Sequence, residues 1–371
     1  MKIPIAEPDV SRDDISAVAR ALREREISGK GRYVRAFEQA FARWLGAGSA
    51  VATTNGTTAL HLALASLGIK QGDEVIIPAF SMAAIPFAVA YTGATSVLVD
   101  SDRATWNIDP RGIEEKITKR SKAIVVMHTY GNPADLDPIL EVARKHGLRV
   151  VEDAAEAHGA EYKGRKVGTL GDVGCFSFYA NKIITTGEGG MLVTSDKSVD
   201  ERARELRDMA FGKGSVDRFL HRSVGFDYRL SSVLASLGLS QLKRINEYIE
   251  RRREVARLYN KLFERVKGVE TPTEPAYGKS VYWMYSVLVD QASFRGGRAG
   301  LIKSLERSGI ETRPFFVPVH AQPAFSALHG SERYPVAESL GRSGLNLPSG
   351  NTVTRAQVEY VAHAVSKLAR G

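Results

Sequence analysis

The feature that most constrains the fold of this chain is an alternation of short β-branched runs with stretches of helical spacing, from about residue 50 to residue 195. Because parallel neighbouring strands need a long crossover connection, this alternation is typical of a mostly parallel sheet covered by helices. One helix-like stretch, 136–146, ends at Gly147, as a helix C-terminus should. The pattern therefore predicts an α/β fold, with candidate strands at 74–77, 96–99, 123–127, 149–152, 175–178 and 191–194.

The chain is long enough for two unequal domains. Its 371 residues exceed what one ordinary hydrophobic core organises. Residues 242–263 carry apolar side chains at helical spacing, and a proline-marked segment, 271–275, follows them. We expect an N-terminal arm, a large domain and a smaller α+β domain, with bounds of 1–12, 13–245 and 246–371.

The composition indicates a folded protein of a reducing compartment. Hydrophobic residues make up 43% of the chain and charged residues 25%, near the averages of globular proteins. Cys175 is the only cysteine, which excludes a disulfide or a cysteine-rich metal site within one chain, and we assign no residue to a metal. No apolar run approaches the roughly 20 residues that span a bilayer. We therefore expect a cytoplasmic protein with no membrane partner.

The net charge of +9 would attract anions of several kinds, including nucleic acids and nucleotide diphosphates. The densest basic cluster, 251–253, lies within the helix-like stretch 242–263. A solvated outer face explains this cluster better than a nucleic-acid site does, and no zinc-finger or helix-turn-helix pattern accompanies it. We expect no nucleic-acid partner.

A polar segment, 55–58, precedes the apolar helical stretch 59–67. Gly56, Thr57 and Thr58 would place unpaired backbone N–H groups, two hydroxyls and the positive end of a helix dipole together. That combination is a phosphate site. Taken alone, the segment fits plain N-capping equally well.

Two ionisable residues follow predicted strands. Asp153 comes after the run 149–152, so it should lie at the carboxyl end of a parallel strand, where open α/β sheets bind ligands. Lys182 lies between the strand-like run 175–178 and the glycine-rich turn 187–190. A lysine amine is nucleophilic only when burial or a nearby cation lowers its pKa. Each residue alone would fit a structural role, as a helix N-cap or a surface lysine.

Four segments in this order make the chain resemble a known family. They are 55–64, 151–157, 176–190 and 225–229. The family is that of the pyridoxal-phosphate (PLP) nucleotide-sugar aminotransferases of fold type I, the DegT/DnrJ/EryC1/StrS family. The resemblance spans nearly the whole chain. It implies an aspartate aminotransferase-like large domain, a smaller C-terminal domain, and a homodimer with shared active sites.

The resemblance also implies roles for the candidate residues. Lys182 would hold PLP as a Schiff base and then move protons as a general acid and base. A related branch that removes a sugar hydroxyl has histidine at this position, so Lys182 argues for transamination. Asp153 would keep the pyridine nitrogen protonated, and Glu156 would lie beside the phenolic oxygen. The cofactor phosphate would be bound by Gly56, Thr57, Thr58 and Ser177.

Two residues depart from the family pattern. Met82 stands where the family usually has an aromatic residue stacked on the PLP ring, and its thioether can cover part of that ring. Asp227 stands where an asparagine commonly reaches the cofactor phosphate from the partner subunit. An acid there would repel the phosphate unless a cation such as Arg229 offsets its charge.

The substrate is the least constrained part of the prediction. Segments 282–285 and 309–316 are most similar to the branch that makes GDP-perosamine, which implies a GDP-linked 4-keto-6-deoxymannose and an amino donor such as L-glutamate. Arg229 and Arg313 are candidate substrate-binding residues, since a guanidinium binds a diphosphate well. His320 is a further candidate, near the sugar. The same chemistry on a dTDP- or UDP-linked ketosugar is an alternative. A PLP-dependent or DNA-binding regulator is a further one.

Overall fold

The computed structural model describes residues 2–212, 214, 216–329 and 331–369. Its strands, in chain order, are β1 (Ser49–Thr53), β2 (Glu74–Pro78), β3 (Thr95–Val99), β4 (Ser121–Met127), β5 (Arg149–Asp153), β6 (Glu161–Tyr162), β7 (Arg165–Lys166), β8 (Val173–Ser177), β9 (Gly190–Thr194), β10 (Val269–Glu270), β11 (Gly278–Lys279), β12 (Tyr285–Val289), β13 (Arg313–Pro314) and β14 (Gly344–Leu347). Its helices are α1 (Arg12–Arg23), α2 (Arg32–Leu45), α3 (Gly56–Ser66), α4 (Ala84–Tyr91), α5 (Leu136–His146), α6 (Lys197–Arg207), α7 (Ser232–Gln241), α8 (Ile245–Phe263), α9 (Gly297–Arg307), α10 (Ser326–His329), α11 (Pro335–Ser343) and α12 (Arg355–Leu368).

The central sheet has seven strands within the described residues, in the order β1-β9-β8-β5-β4-β2-β3. Strands β3, β2, β4, β5 and β8 run parallel, whereas β9 is antiparallel to its neighbours β8 and β1. Every residue of β2, β8 and β9 is buried, as expected for strands covered on both faces. The predicted α/β class with a mostly parallel sheet is confirmed.

The local sequence signals locate most elements of this sheet. All six predicted strands are present, with ends within two residues of the prediction. Helix α5 begins and ends at the predicted residues, and Gly147 ends it in the left-handed region, with φ at 65°. Strand β1 is missing from the prediction because its alanines, Ala50 and Ala52, have low strand propensity.

A second, antiparallel sheet has the order β10-β12-β14-β13 and a hydrophobic core of its own. The N-terminal half of α8 contributes Ile245 and Tyr248 to the first core, and its C-terminal half contributes Tyr259 and Phe263 to the second. Later residues of the chain also pack on the first core, namely Phe315, Val319, Phe325, Tyr334, Ala337 and Leu340. The domain bounds 13–245 and 246–371 stay a proposal.

The first residues of the chain lie against its C-terminal part. Ile3 forms a bridge with Ile310, and its N–H donates to the carbonyl of Gly309 over 2.8 Å. The expected arm over 1–12 also remains a proposal, since Ser11 already caps α1. No helix in the described ranges is both long and apolar enough to cross a bilayer.

Candidate active site

A cavity of about 360 Å³ opens at the carboxyl ends of three parallel strands, β4, β5 and β8. Their last residues, Met127, Asp153 and Ser177, line it. This edge is where open parallel sheets bind their ligands. The predicted site residues that border this cavity together are Gly56, Thr57, Met82, Asp153, Glu156, Ser177, Lys182 and Arg313.

The N-terminus of α3 supplies the anion-binding side of the cavity. Asn55 and Thr58 form a capping box, in which the Thr58 N–H donates to Asn55 Oδ1 over 2.9 Å and the Asn55 N–H donates to Thr58 Oγ1 over 3.1 Å. The first bond within the helix runs from Ala59 to the Asn55 carbonyl, so the N–H groups of Gly56 and Thr57 have no helical acceptor. Two free donors at a positive helix end suit a phosphate group.

Gly56 permits the close approach of this helix to β8. A Cβ at residue 56 would lie 2.9 Å from Cβ of Ser177, nearer than side-chain carbons pack. The absence of a side chain lets the start of α3 and the end of β8 border one space. The hydroxyls of Thr57 and Ser177 therefore share the cavity with the free N–H groups.

Asp153 places a buried carboxylate at the base of the cavity. The Ala155 N–H donates to its Oδ1 over 3.0 Å, which orients the group. Burial raises the pKa of Asp153, and the Ala155 hydrogen bond and the positive charge of Lys182 oppose that rise. A cationic ring nitrogen would stabilise this buried carboxylate, since burying a charge without a partner is costly.

Lys182 projects a buried amine into the same space, with 10% of its side chain exposed. Its Nζ lies 3.7 Å from Glu156 Oε1 and 3.6 Å from the centre of the Trp283 ring. Burial lowers the pKa of Lys182, although Glu156 and Asp153 act in the opposite direction. Burial thus shifts the amine in the direction that imine chemistry needs, towards its uncharged form.

Glu156 is the acid nearest to this amine. Burial raises the pKa of Glu156 to about 7, against the attraction of Lys182. The Tyr130 N–H donates to its Oε2 over 2.9 Å and holds the carboxyl in place. A group with this pKa can either hold or release a proton near neutral pH.

Two predicted residues, Thr58 and His320, are not part of the cavity lining and have local partners. The Thr58 hydroxyl donates to the Asn55 carbonyl over 2.8 Å, so it serves the helix cap. His320 Nε2 lies 3.5 Å from Glu338 Oε1, and its ring centre lies 4.9 Å from that of Tyr334. A contact of either with a ligand stays a prediction.

Asp227 and Arg229 form an ion pair, which answers the concern about an acid near a phosphate. Arg229 Nη2 lies 2.7 Å from Asp227 Oδ1, and Nη1 of the same guanidinium binds Asp208. The Asp227 side chain is 60% exposed and is not part of the cavity lining within one chain. The expected contact of Asp227 with the cofactor phosphate of a partner subunit therefore stays a prediction.

Several residues of the cavity were not predicted from the sequence, above all Trp283. Its ring covers the Lys182 amine, and its Nε1–H donates to the carbonyl of Asn181 over 2.9 Å. The available signal was the aromatic segment 282–285, which carried the resemblance but received no site role. Other missed residues are Asn55, Tyr179, Asn181, Glu188 and Phe316.

Comparison with known proteins decides the family. The model of the DegT/DnrJ/EryC1/StrS aminotransferase family matches residues 8–366. The chain belongs to this family. The predicted activity class, a PLP-dependent aminotransferase, is confirmed with it.

Two relatives cover almost the entire chain. A GDP-perosamine synthase of Caulobacter vibrioides is 42% identical over 368 residues, covering 99% of this chain and 98% of the relative. A GDP-perosamine synthase of Escherichia coli O157:H7 is 40% identical over 366 residues, with the same coverage. Among solved structures, a Streptococcus pneumoniae protein in its PLP form aligns with a TM-score of 0.93 at 25% identity, covering 99% of this chain and 98% of that one.

The residues of this cavity fit PLP. The free N–H groups at the start of α3 and the hydroxyls of Thr57 and Ser177 suit its phosphate. Asp153 suits its ring nitrogen, and the Lys182 amine suits its aldehyde. The 360 Å³ volume lies in the range of small-molecule sites.

Proposed function

We propose that this enzyme transfers an amino group from L-glutamate to the C4 ketone of GDP-4-keto-6-deoxymannose, forming GDP-perosamine. The amino carbon of glutamate becomes a ketone, and the sugar ketone becomes an amine. The observation that carries the proposal is the convergence of a buried lysine, a buried acid and an anion-binding helix end on one cavity. Lys182 is the proposed point of attachment for PLP.

The proposed chemistry divides between cofactor and protein. When bound, PLP supplies an electron-withdrawing ring that stabilises the negative charge left when a proton leaves the amino carbon. Asp153 holds the ring nitrogen positive, which strengthens that effect. Lys182, once its amine is free, would carry a proton between carbon atoms as a general acid and base. Glu156, 3.7 Å from this amine, favours its protonated form.

The GDP-linked sugar is the preferred substrate for two reasons. Segments 282–285 and 309–316 resemble the branch that makes GDP-perosamine, and the two relatives above bear that name. Arg313 lines the cavity, forms no ion pair with any residue in the described ranges, and would suit the diphosphate of a GDP-, dTDP- or UDP-linked sugar alike. A guanidinium without an ion-pair partner can donate two hydrogen bonds at once to the oxygens of a diphosphate.

Parallel incubations with GDP-, dTDP- and UDP-linked 4-keto-6-deoxysugars test the substrate. Each contains enzyme, PLP and L-glutamate, and mass spectrometry reads the conversion of ketone to amine. We expect the GDP-linked sugar to be converted at least about tenfold faster than the others, a discrimination of about 1.4 kcal/mol. Faster conversion of a dTDP- or UDP-linked sugar would replace the GDP assignment and keep the reaction.

The Lys182→Ala variant tests the attachment point. It should lose both the visible absorption band of lysine-bound PLP and amino-group transfer, because no other lysine in the described part of the chain lines the cavity. Lys197→Ala is the matched control, since Lys197 is exposed and pairs only weakly with Glu201. Full turnover by Lys182→Ala would refute the role of this lysine.

The proposal extends to assembly and location. A homodimer with shared sites is supported by exposed apolar residues that shortly precede Asp227 in the sequence, among them Val224 and Phe219. A cytoplasmic location is supported by the cysteine content, a single buried and free residue, Cys175. L-glutamate as donor follows from the family alone.

A further inference from the structure

Arg252 is a buried guanidinium that pairs with no carboxylate among the residues the structure describes. Its side chain is 2% exposed, although the basic run 251–253 was expected to face solvent, and that expectation is wrong for Arg252. Burial lowers the pKa of Arg252 to about 9, so the group remains a cation at neutral pH. A buried charge of this kind is costly to the fold and calls for a functional explanation.

The guanidinium binds two neutral groups from separate parts of the chain. Nε–H donates to Asn351 Oδ1 over 2.8 Å, and Nη1–H donates to the carbonyl of Trp283. The planar fork of arginine holds both acceptors in fixed directions. Arg252 therefore sets the position of Asn351 and Trp283 relative to each other.

These two residues in turn bind the backbone on either side of Lys182. Asn351 Nδ2–H donates to the carbonyl of Ile183 over 3.1 Å, and Trp283 Nε1–H donates to the carbonyl of Asn181 over 2.9 Å. These hydrogen bonds and the backbone of residues 181–183 together form a closed ring, which runs from Arg252 through both partners to the carbonyls of the two residues that flank the lysine. Lys182 lies between these two residues in the chain.

The same ring acts on the amine itself. Trp283 presents its aromatic face 3.6 Å from Lys182 Nζ. The charged groups that act on this amine are Glu156 and Asp153, which favour its protonated form, and Arg313 and Arg252, which disfavour it. Arg252 therefore contributes a positive charge as well as a position.

We propose that Arg252 is a positioning residue for Lys182, which fixes the lysine and its aromatic cover through Asn351 and Trp283. The proposal rests on the role proposed above for Lys182. It joins helix α8, which spans both hydrophobic cores, to the reacting amine.

Arg252→Met and Arg252→Lys test the proposal, with Arg257→Met as control because Arg257 is exposed on the same helix and pairs with Glu250. The readouts are the pH at which the visible band of bound PLP titrates, and kcat and KM with glutamate. Arg252→Met removes a cation, so the titration should move to higher pH by about 0.5–1 unit, and kcat should fall about tenfold with KM within about twofold. Arg252→Lys keeps the charge but lacks the fork, so its titration should stay near wild type while kcat remains low.

Three outcomes would overturn the proposal. Arg252→Met could match wild type in both readouts, or Arg252→Lys could restore kcat fully, which would leave only a charge effect. If Arg252→Met does not fold by circular dichroism, Asn351→Leu and Trp283→Phe decide, since each removes one bond to a carbonyl beside Lys182. Wild-type kcat in both would also reject the proposal. Absence of the visible band in wild type would instead refute the attachment of PLP at Lys182.

Discussion

His158 is a residue whose ionisation depends on its surroundings. Its ring centre lies 5.3 Å from that of Phe176, 5.4 Å from Phe178 and 6.4 Å from Phe41. Burial lowers the pKa of His158 from 6.5 to about 3, and the charges of Lys182 and Arg252 add to the effect. The neutral ring is therefore part of the core, in line with the absence of a site role for His158 in the sequence analysis.

This pKa predicts an acid-dependent loss of stability. Above pH 6.5 the ring is neutral in both the folded and unfolded states, so His158 costs nothing. As the pH falls from 6.5 towards 3, His158 takes up a proton in the unfolded chain but stays neutral in the folded one. This difference favours unfolding by up to about 5 kcal/mol. His158→Leu should remove that part of the loss.

The measurement is urea unfolding of both proteins at pH 7.5 and pH 4.5. His158→Leu should be less stable than wild type at pH 7.5, because aromatic contacts are lost. At pH 4.5 the gap should close by at least about 1 kcal/mol. An equal gap at both pH values would mean that His158 titrates normally in the folded protein.

At the scale of elements, the start of α3 separates capping from ligand binding. Thr58 caps the helix through its hydroxyl, whereas Thr57 borders the cavity next to the free N–H groups. The sequence could not distinguish these two uses, because adjacent threonines carry the same chemistry. Which hydroxyl meets the cavity depends on how the helix packs against β8.

Thr57→Val and Thr58→Val form a matched pair for this distinction. Thr57→Val should weaken PLP binding about tenfold and leave the melting temperature of the apoprotein nearly unchanged, since it removes one hydrogen bond to phosphate. Thr58→Val should lower the free energy of unfolding by about 1 kcal/mol through loss of the capping box, with a smaller effect on affinity. Titration with PLP and thermal unfolding of the apoprotein measure the two. The reverse assignment would show that Thr58, not Thr57, serves the cofactor.

At the scale of the whole molecule, one exposed apolar segment suggests an interface. Val216 is 96% exposed, Val224 86% and Phe219 77%. Large apolar side chains gathered on one surface are typical of a protein contact. This segment precedes Asp227, the residue that the family resemblance assigns to the neighbouring active site.

The prediction is a dimer that depends on this segment. Wild type should sediment as a dimer at micromolar concentration, and Phe219→Asp should shift it towards monomer by placing a charge in an apolar contact. Leu328→Asp is the control, because Leu328 is also exposed, at 61%, but lies far along the chain in α10. Analytical ultracentrifugation over a concentration series measures the shift. A wild-type monomer throughout the series would reject the dimer, and equal effects of both variants would move the interface elsewhere.

Local signals in the sequence determined the α/β class, six strands of the central sheet, the end of α5 and the start of α3 near residue 56. They suffice there because strand alternation, caps and turns depend on residues close together in the chain. The tertiary structure alone decided that Arg252 is buried and that Trp283, 101 positions after Lys182 in the sequence, covers its amine. Burial and contacts between distant segments depend on how the two cores pack, so they cannot be predicted from a short stretch of sequence.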